Sequence, residues 1–257
     1  LGEMDVRLEL MKPDRFTRSA GYDVSWMIEN SMGPNVIWLS EFLSEVMAFK
    51  PGMKVLDLGC GKALSSVFFA REFGVEVWAT DLWIAAEENE RRIQEAGLAG
   101  QIHAIHAEAH ALPYEQDFFD AIVSLDAYHY FGTDDLYLGY ITKFLKRGRQ
   151  IGVVSPGLVR EFEGDPPEHL QSGWYWDFAS LHSPAWWRRH WDRVGKVNVE
   201  VADWLEDGWK HWALWGRVCD EQQGVDGAEA AYVEADAGRN LGFARIVANR
   251  RETDRWL

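Results

Sequence analysis

The sequence predicts an α/β protein with a doubly wound, mostly parallel sheet and an added helical cap. Short apolar runs alternate with amphipathic segments between residues 54 and 155, which is typical of parallel strands joined by helices. A glycine-rich turn, GCG at 59–61, stands between the first strand and its helix. After Pro156 the alternation stops and tryptophan becomes frequent, so a second kind of region begins there.

The elements before Pro156 follow from local patterns. From Pro34, apolar residues recur at helical spacing until Lys50-Pro51-Gly52 stops the helix. Five short apolar runs bounded by turn residues predict strands at 54–59, 75–81, 101–109, 119–127 and 150–155. The segments between them have helical spacing, which predicts helices at 63–74, 84–97 and 134–148.

Beyond Pro156 the predicted elements are a loop, a helix, two strands and a cap. Residues 160–183 lack periodicity, which favours a long loop or lid. The segment 184–195 is typical of a short helix, with proline near its start and glycine at its end. Strands are predicted at 197–204 and 242–249, and too many residues separate them for a hairpin. The helical pattern between them, DGWKHWALWGRVCDE, therefore predicts a cap.

A chain of 257 residues suits one large α/β domain. We expect one compact unit with three parts along the chain. These are an N-terminal helical segment that packs on the core (1–50), a cofactor-binding core (51–160), and the remaining strands with a tryptophan-rich substrate cap (161–257).

The composition argues against several classes of partner and location. A formal net charge of −15 disfavours nucleic acid and anionic membrane surfaces, because both attract basic faces. Two cysteines, Cys60 and Cys219, cannot build a disulfide framework. No apolar run reaches the roughly 18 residues of a membrane span. Charges throughout the first residues argue against a secretory signal, so we expect a cytoplasmic protein.

The segment VLDLGCGKALSS (55–66) carries most of the chemical information. In an open α/β sheet, ligands bind beyond the carboxyl ends of the strands, where glycines let the backbone approach them. The pattern lacks the third glycine of a dinucleotide-binding fingerprint, and no phosphate-binding P-loop motif occurs. Asp57, two places before the first glycine, would repel a pyrophosphate but would suit a ligand with an ammonium group.

Three ordered motifs resemble those of class I S-adenosylmethionine (SAM) dependent methyltransferases. DLGCGKA resembles the family's first motif, with Ala63 in place of the third glycine. Asp81 matches the acidic residue that closes the second strand. AEAHALPY followed by FDAIVS resembles the third motif, with Glu108 in place of aspartate. LKRGRQI departs from the family's LKPGG stretch. The resemblance covers about residues 34–157 and is nearest to the small-molecule branch, which includes the methyltransferase type 11 and cyclopropane-fatty-acid-synthase-like groups.

This resemblance implies a Rossmann-like fold with an antiparallel last strand and an enzyme that transfers a methyl group from SAM to a small molecule. The transfer would be an in-line displacement that leaves S-adenosylhomocysteine (SAH). The residues that it implies for cofactor binding are Asp57, Gly59, Cys60, Gly61, Asp81, Leu82, Glu108, Ala109, Asp126 and Tyr22.

The end of the fourth strand, SLDAYHYFG, faces the reacting atoms in this family, which makes Tyr128, His129 and Tyr130 the catalytic candidates. His129 is either a general base near neutral pH or a buried, hydrogen-bonded histidine past a strand. Asp126 is expected to hold the cofactor or a polar group of the substrate rather than to act as base. His103, His106 and His110 lack the spacing of a metal site, so no metal is expected.

Of the 14 tryptophans, most lie beyond residue 160. They either form the core of the cap or line a pocket for an aromatic or cationic acceptor. The candidates for the substrate pocket are Trp174, Trp176, Trp209 and Trp212.

Two other functions stay open. The chain could be a SAM-binding regulatory or sensor protein without catalysis, or a methyltransferase that acts on a macromolecule. The missing basic face and the lack of an NPPY-type motif after the fourth strand argue against a nucleic acid acceptor. The acceptor atom and the oligomeric state are not fixed by the sequence.

Overall fold

A computed structural model describes residues 11–224 and 227–256. Seven strands form one sheet: β1 Lys54–Leu58, β2 Glu76–Asp81, β3 Ile102–His106, β4 Phe119–Leu125, β5 Leu145–Leu158, β6 Val197–Trp204 and β7 Leu241–Arg250. The α-helices are α1 Val24–Glu29, α2 Val36–Ser44, α3 Leu64–Phe73, α4 Ala86–Glu95, α5 Tyr137–Ile141, α6 Glu168–Gln171, α7 Pro184–Val194, α8 Gly208–Gln223 and α9 Ala228–Asp236. Short 3₁₀ turns lie at Ser19–Gly21, Tyr128–Tyr130, Thr142–Phe144 and Trp176–Ser180.

The strand order is β3-β2-β1-β4-β5-β7-β6. The first five strands pair in parallel, and β7 is antiparallel to both β5 and β6. The predicted Rossmann-like, mostly parallel sheet with an antiparallel last strand is thereby confirmed. Because the chain runs outward from β1 to β3 and then returns to β4 on the other side, a crevice opens between the carboxyl ends of β1 and β4.

The segment before β5 differs from the prediction of a helix over 134–148. The helix α5 is short, a 3₁₀ turn follows it, and β5 already begins at Leu145. Leu145 pairs with Phe119 at the start of β4, while the polar residues 147–149 are exposed. The lysine and arginine residues favour a helix locally, but they offer no apolar face to bury, so pairing with β4 determines the structure.

Apolar side chains cover both faces of the sheet. On one face, α2 and α3 contribute Leu43, Phe68 and Phe69 to a cluster that also contains Val154 of β5. On the other face, α5 and α7 cover the sheet, and Trp191 of α7 is fully buried there. In the part of the chain that the structure describes, no helix has the length and apolar character needed to cross a membrane.

Candidate functional site

A cavity of about 310 Å³ lies at the carboxyl ends of β1, β2 and β4. Its floor is the turn after β1, and its sides are the residues that follow β2, β3 and β4. The N-terminal residues 30–36 close it from above, and we call them the cover segment. Trp215 of α8 also reaches the wall. The cavity therefore lies at the position where open α/β sheets bind ligands.

The turn after β1 brings its backbone close to the end of β4. Gly59 has φ +73°, and a Cβ atom built on it would lie 2.4 Å from the Cβ of Ala127. The amides of Gly59 and Cys60 donate to the carbonyl of Thr80 at 2.8 and 3.1 Å. Ala63 replaces the third glycine of the motif and still adopts the left-handed conformation, with φ +64°. The turn thus keeps the shape that the glycine pattern predicts.

Asp81 ties the end of β2 to this turn. Its Oδ2 accepts the N–H of Gly61 at 2.8 Å. Its Oδ1 accepts the amides of Trp83 and Ile84 at 2.7 and 3.0 Å. The Asp81 side chain and the half-exposed Leu82 both line the cavity. A carboxylate has about four lone-pair sites, so these three bonds leave capacity for one more donor.

Asp57 lies beneath the turn and is not part of the cavity wall. It is fully buried, and its Oδ2 accepts the hydroxyls of Ser65 and Ser66 at 2.6 and 2.7 Å. Burial raises the pKa of Asp57 to about 6, although both hydroxyl bonds act in the opposite direction. The Asp57 side chain therefore holds the start of α3 against the turn. The contact with a ligand ammonium group that the sequence predicts for Asp57 stays a prediction.

The residues after β3 form a polar side of the cavity. Glu108, Ala109 and His110 line it, and His110 pairs with Glu108 at 2.7 Å, which lowers the pKa of that carboxyl. Cys60 also lines the cavity, and burial raises the pKa of its thiol. His103 instead contacts Glu76 on β2, and His106 contacts the carbonyl of Leu82. The three histidines of this region therefore do not converge on one point.

The end of β4 divides four predicted site residues into two groups: the cofactor candidate Asp126 and the catalytic candidates Tyr128, His129 and Tyr130. Asp126 and Tyr130 line the cavity. Tyr128 points away and is buried against Trp187 and Trp191 of α7. His129 is also buried and outside the wall, and burial lowers its pKa to about 4, so its ring is neutral at physiological pH. The structure thus brings two of these four side chains to the cavity.

The predicted aromatic pocket residues lie elsewhere. Tyr22 is buried beside Phe68, and its hydroxyl donates to Glu72 at 3.0 Å. None of the four cap tryptophans lines the cavity. Trp174 packs between Phe162 and Phe178, and Trp176 is 90% exposed to solvent. Trp209 contacts Gly238, and Trp212 donates to Glu229. Trp83 and Trp215 line it instead. Spacing along the chain cannot tell which face of α8 meets the cavity, because that depends on how the helix packs.

The cover segment is the part of the site that sequence reasoning missed. The Nε1–H of Trp215 donates to Ser31 Oγ and to the carbonyl of Gly33, both at 3.1 Å. Arg92 of α4 donates to Asn30 Oδ1 at 3.1 Å and to Asn89, which in turn donates to the carbonyl of Gly61 at 2.8 Å. The cover is therefore tied to the turn after β1. The Gly33-Pro34 pair was a usable turn signal, but nothing local linked it to the site.

We predict that Trp215→Phe weakens ligand binding at this cavity about three- to tenfold. Phenylalanine keeps most of the buried apolar surface but removes the donor to the cover segment, a loss of roughly 0.5–1.5 kcal/mol. Calorimetric titration with SAM measures this effect. Trp212→Phe is the matched control, because Trp212 lies on the same helix and donates to Glu229 rather than to the cover. Equal affinities of the two variants would contradict a role for the Trp215 bond.

The comparisons with known proteins agree with this geometry. Residues 55–148 match the model of a family described as a methyltransferase domain. A glycine/sarcosine/dimethylglycine N-methyltransferase from Actinopolyspora halophila is 27% identical over 160 residues, which cover 61% of this chain and 27% of that protein. The first curated relatives are longer proteins, and the matched part of this chain spans less than half of their length.

Two solved structures share the fold over most of the chain. A putative sarcosine dimethylglycine methyltransferase from Galdieria sulphuraria superposes with a TM-score of 0.67 at 19% identity, covering 85% of this chain and 87% of that one. The cyclase SpnF superposes with a TM-score of 0.70 at 16% identity, covering 97% and 94%. At these identities the likeness concerns the fold.

Proposed function

We propose that this chain, whose residues 55–148 are a methyltransferase domain of the class I SAM-dependent kind, transfers a methyl group from SAM to a small-molecule acceptor. The main observation that supports this proposal is that the three motif regions meet at one cavity. The turn after β1, Asp81 at the end of β2 and the Glu108–Ala109 pair after β3 all line it. A relative acts on glycine, sarcosine and dimethylglycine by its name, which supports a small acceptor.

The cavity residues have distinct proposed roles toward SAM. Asp81 has the capacity to accept a ribose hydroxyl beside the three amides that it already holds. Glu108 and the backbone of Ala109 would meet the adenine. The glycine turn lines the cavity on the side where the methionine part would lie, and the lack of side chains at Gly59 and Gly61 lets the turn approach Ala127 and Met32 closely. When bound, SAM supplies an electrophilic methyl group on a sulfonium.

The protein's own contribution is to position the acceptor and to exclude water. The cover segment and Trp215 line the cavity together with the turn, and Trp215 donates to the cover segment at Ser31. Holding two reactants in line contributes much of the rate of such a displacement. A concave site of about 310 Å³ is in the size range of small-molecule sites. The net charge of −15 also argues against a nucleic acid acceptor.

Titration of the protein with SAM and with SAH, followed by turnover of SAM in acceptor mixtures, tests this proposal. We expect one SAM site per chain, and we expect Asp81→Ala to weaken binding at least about tenfold, since it removes a charged hydrogen-bond partner. Glu90→Ala, an exposed carboxylate on α4, is the control and should bind normally. Absence of SAM binding would refute the proposal. Binding without turnover in any acceptor mixture would favour the regulatory alternative.

A further inference from the structure

The carboxylate of Asp126 is a charge on the cavity wall for which the described residues provide no hydrogen-bond donor. Asp81 and Glu108, which also line the cavity, both have hydrogen-bond partners. Within residues 11–224 and 227–256, no donor lies within hydrogen-bond distance of the Asp126 carboxylate, and burial raises its pKa well above the ordinary value. The Asp126 side chain lies on the cavity wall and is partly exposed, so its carboxylate is accessible to a partner that the described residues do not supply.

The backbone holds Asp126 in a strained conformation that fixes its place. Its φ is +55°, in the left-handed region, and its N–H donates to the carbonyl of Val154 at 2.9 Å. Aspartate and asparagine adopt this conformation more readily than other L-residues, and residues held in it are concentrated at functional sites. The carboxylate also contacts the cover segment at Gly33. A Cβ atom built on Gly33 would lie 2.8 Å from Oδ2 of Asp126, so only glycine leaves room for this contact.

The surroundings of Asp126 are negative. Burial raises the pKa of Tyr130, another residue of the cavity wall, and the charges of Asp126, Asp177 and Glu229 raise it further. Lys62, the lysine on the cavity wall, donates to the carbonyl of Glu29 at 3.4 Å. In the described part of the chain no ion pair neutralises these three carboxylates, and such a group of negative charges attracts a positively charged ligand.

Unpaired polar atoms lie beside this negative region. His129 is 4% exposed, and its Nδ1 has no partner among the residues that the structure describes. Oδ1 of Asp177 also has no hydrogen-bond partner among these residues, and the charge of Asp177 raises the pKa of His129. Buried polar atoms normally have a partner, so these two atoms indicate water or another polar group beside the end of β4, outside the cavity wall.

Apolar and aromatic side chains form the mouth next to Asp126. Trp83 is 68% exposed and Tyr130 is 54% exposed, and their ring centroids are 5.8 Å apart at an angle of 59°. Met32 of the cover segment, 48% exposed, lies on the same cavity. Aromatic faces attract cations and also bind apolar groups.

We propose that the acceptor is an amine with an apolar body, and that its protonated nitrogen pairs with Asp126 while its body lies against Trp83, Tyr130 and Met32. The inference rests on the proposed methyl transfer and names its substrate class. The ammonium gives one proton to the Asp126 carboxylate. The freed nitrogen lone pair then forms the bond to the methyl carbon as the carbon–sulfur bond breaks, with its electron pair going to sulfur. The products are the methylated ammonium and SAH, and the proton leaves Asp126 to solvent.

The test variant is Asp126→Asn, because asparagine keeps the shape of the side chain and tolerates a positive φ. With SAH present, the probes are 2-phenylethylamine, neutral 2-phenylethanol and anionic 3-phenylpropanoate, measured by calorimetry. We expect the wild type to bind the amine about tenfold or more tightly than either analogue, since a charge-assisted bond contributes roughly 1.5–3 kcal/mol. Asp126→Asn should lose this preference, whereas Glu163→Gln, on an exposed loop, should keep it.

SAM titration and turnover separate the remaining outcomes. Turnover across a panel of amines, alcohols and carboxylic acids should occur with amines and fall at least about tenfold in Asp126→Asn. The inference is overturned if amines have no preference in binding or turnover. It is also overturned if Asp126→Asn weakens SAM more than SAH, because Asp126 would then serve the sulfonium. A wild type that does not bind SAM would refute the proposed function itself.

Discussion

Gly59→Ala is expected to weaken SAM binding at least about a hundredfold and to lower the free energy of unfolding by about 3 kcal/mol. Two costs add at this position. An L-residue at a φ of +73° loses about 1–2 kcal/mol, and a Cβ placed 2.4 Å from that of Ala127 forces the turn away from β4, at about 1–3 kcal/mol. Because the displaced turn is the floor of the cavity, binding should fall at least about a hundredfold. Urea unfolding and calorimetric titration measure the two effects.

Gly100→Ala is the matched control for the backbone cost alone. Gly100 has φ +86°, but no heavy atom lies within 4 Å of a Cβ built on it. We expect a loss of about 1 kcal/mol in stability and unchanged SAM affinity. If Gly59→Ala resembled Gly100→Ala in both measurements, close contact between the turn and β4 would not determine the site.

The cofactor side of the cavity was predictable because its signals are local. Gly59, Gly61 and Asp81 lie at strand ends, and parallel strands bring their carboxyl ends to one edge regardless of what covers them. Asp57 shows the limit of that reasoning. The sequence places it two residues before the glycine, but the alternation of side chains along β1 points it beneath the turn, toward the two serines of α3.

The acceptor side was less predictable because it is built from distant parts of the chain. Trp215 meets Ser31 across 184 residues of sequence, and neither residue carries a motif. The tryptophan excess suggested a pocket, yet Trp187 and Trp191 serve the core of the sheet and Trp176 faces solvent. Tryptophan suits both uses because it buries a large apolar area and has one polar atom. Whether a given tryptophan lies in the core or lines a pocket therefore depends on how its helix packs in the folded protein.

Asp57→Ala is expected to lower the free energy of unfolding by about 3 kcal/mol and to weaken SAM binding at least about tenfold. The change leaves the buried hydroxyls of Ser65 and Ser66 without their acceptor, and each unpaired group costs roughly 1–3 kcal/mol. These serines begin α3, directly after the turn, so the turn loses its support. Urea unfolding and SAM titration measure both effects.

The stability of the wild type should also depend on the ionisation of Asp57. Its pKa of about 6 lies above the ordinary value of 3.8, so the folded state holds this proton more tightly than the unfolded state. The stabilisation is therefore present below pH 4 and is lost as the pH rises through 6. Asp57→Asn removes the titration, so between pH 4 and pH 8 its unfolding free energy should gain about 2 kcal/mol relative to the wild type. An equal pH dependence of the two proteins would contradict the raised pKa.

Asp57→Asn also separates the two roles considered for this residue. The amide oxygen can still accept the hydroxyls of Ser65 and Ser66, so a supporting role beneath the turn predicts SAM affinity within about threefold of the wild type. A direct charge contact with the ammonium of SAM predicts that asparagine loses as much affinity as alanine, since both remove the charge. The burial of Asp57 and its absence from the cavity wall favour the first result. Equal losses in the two variants would instead mean that the carboxylate reaches the ligand, and the turn would then have to open when SAM binds.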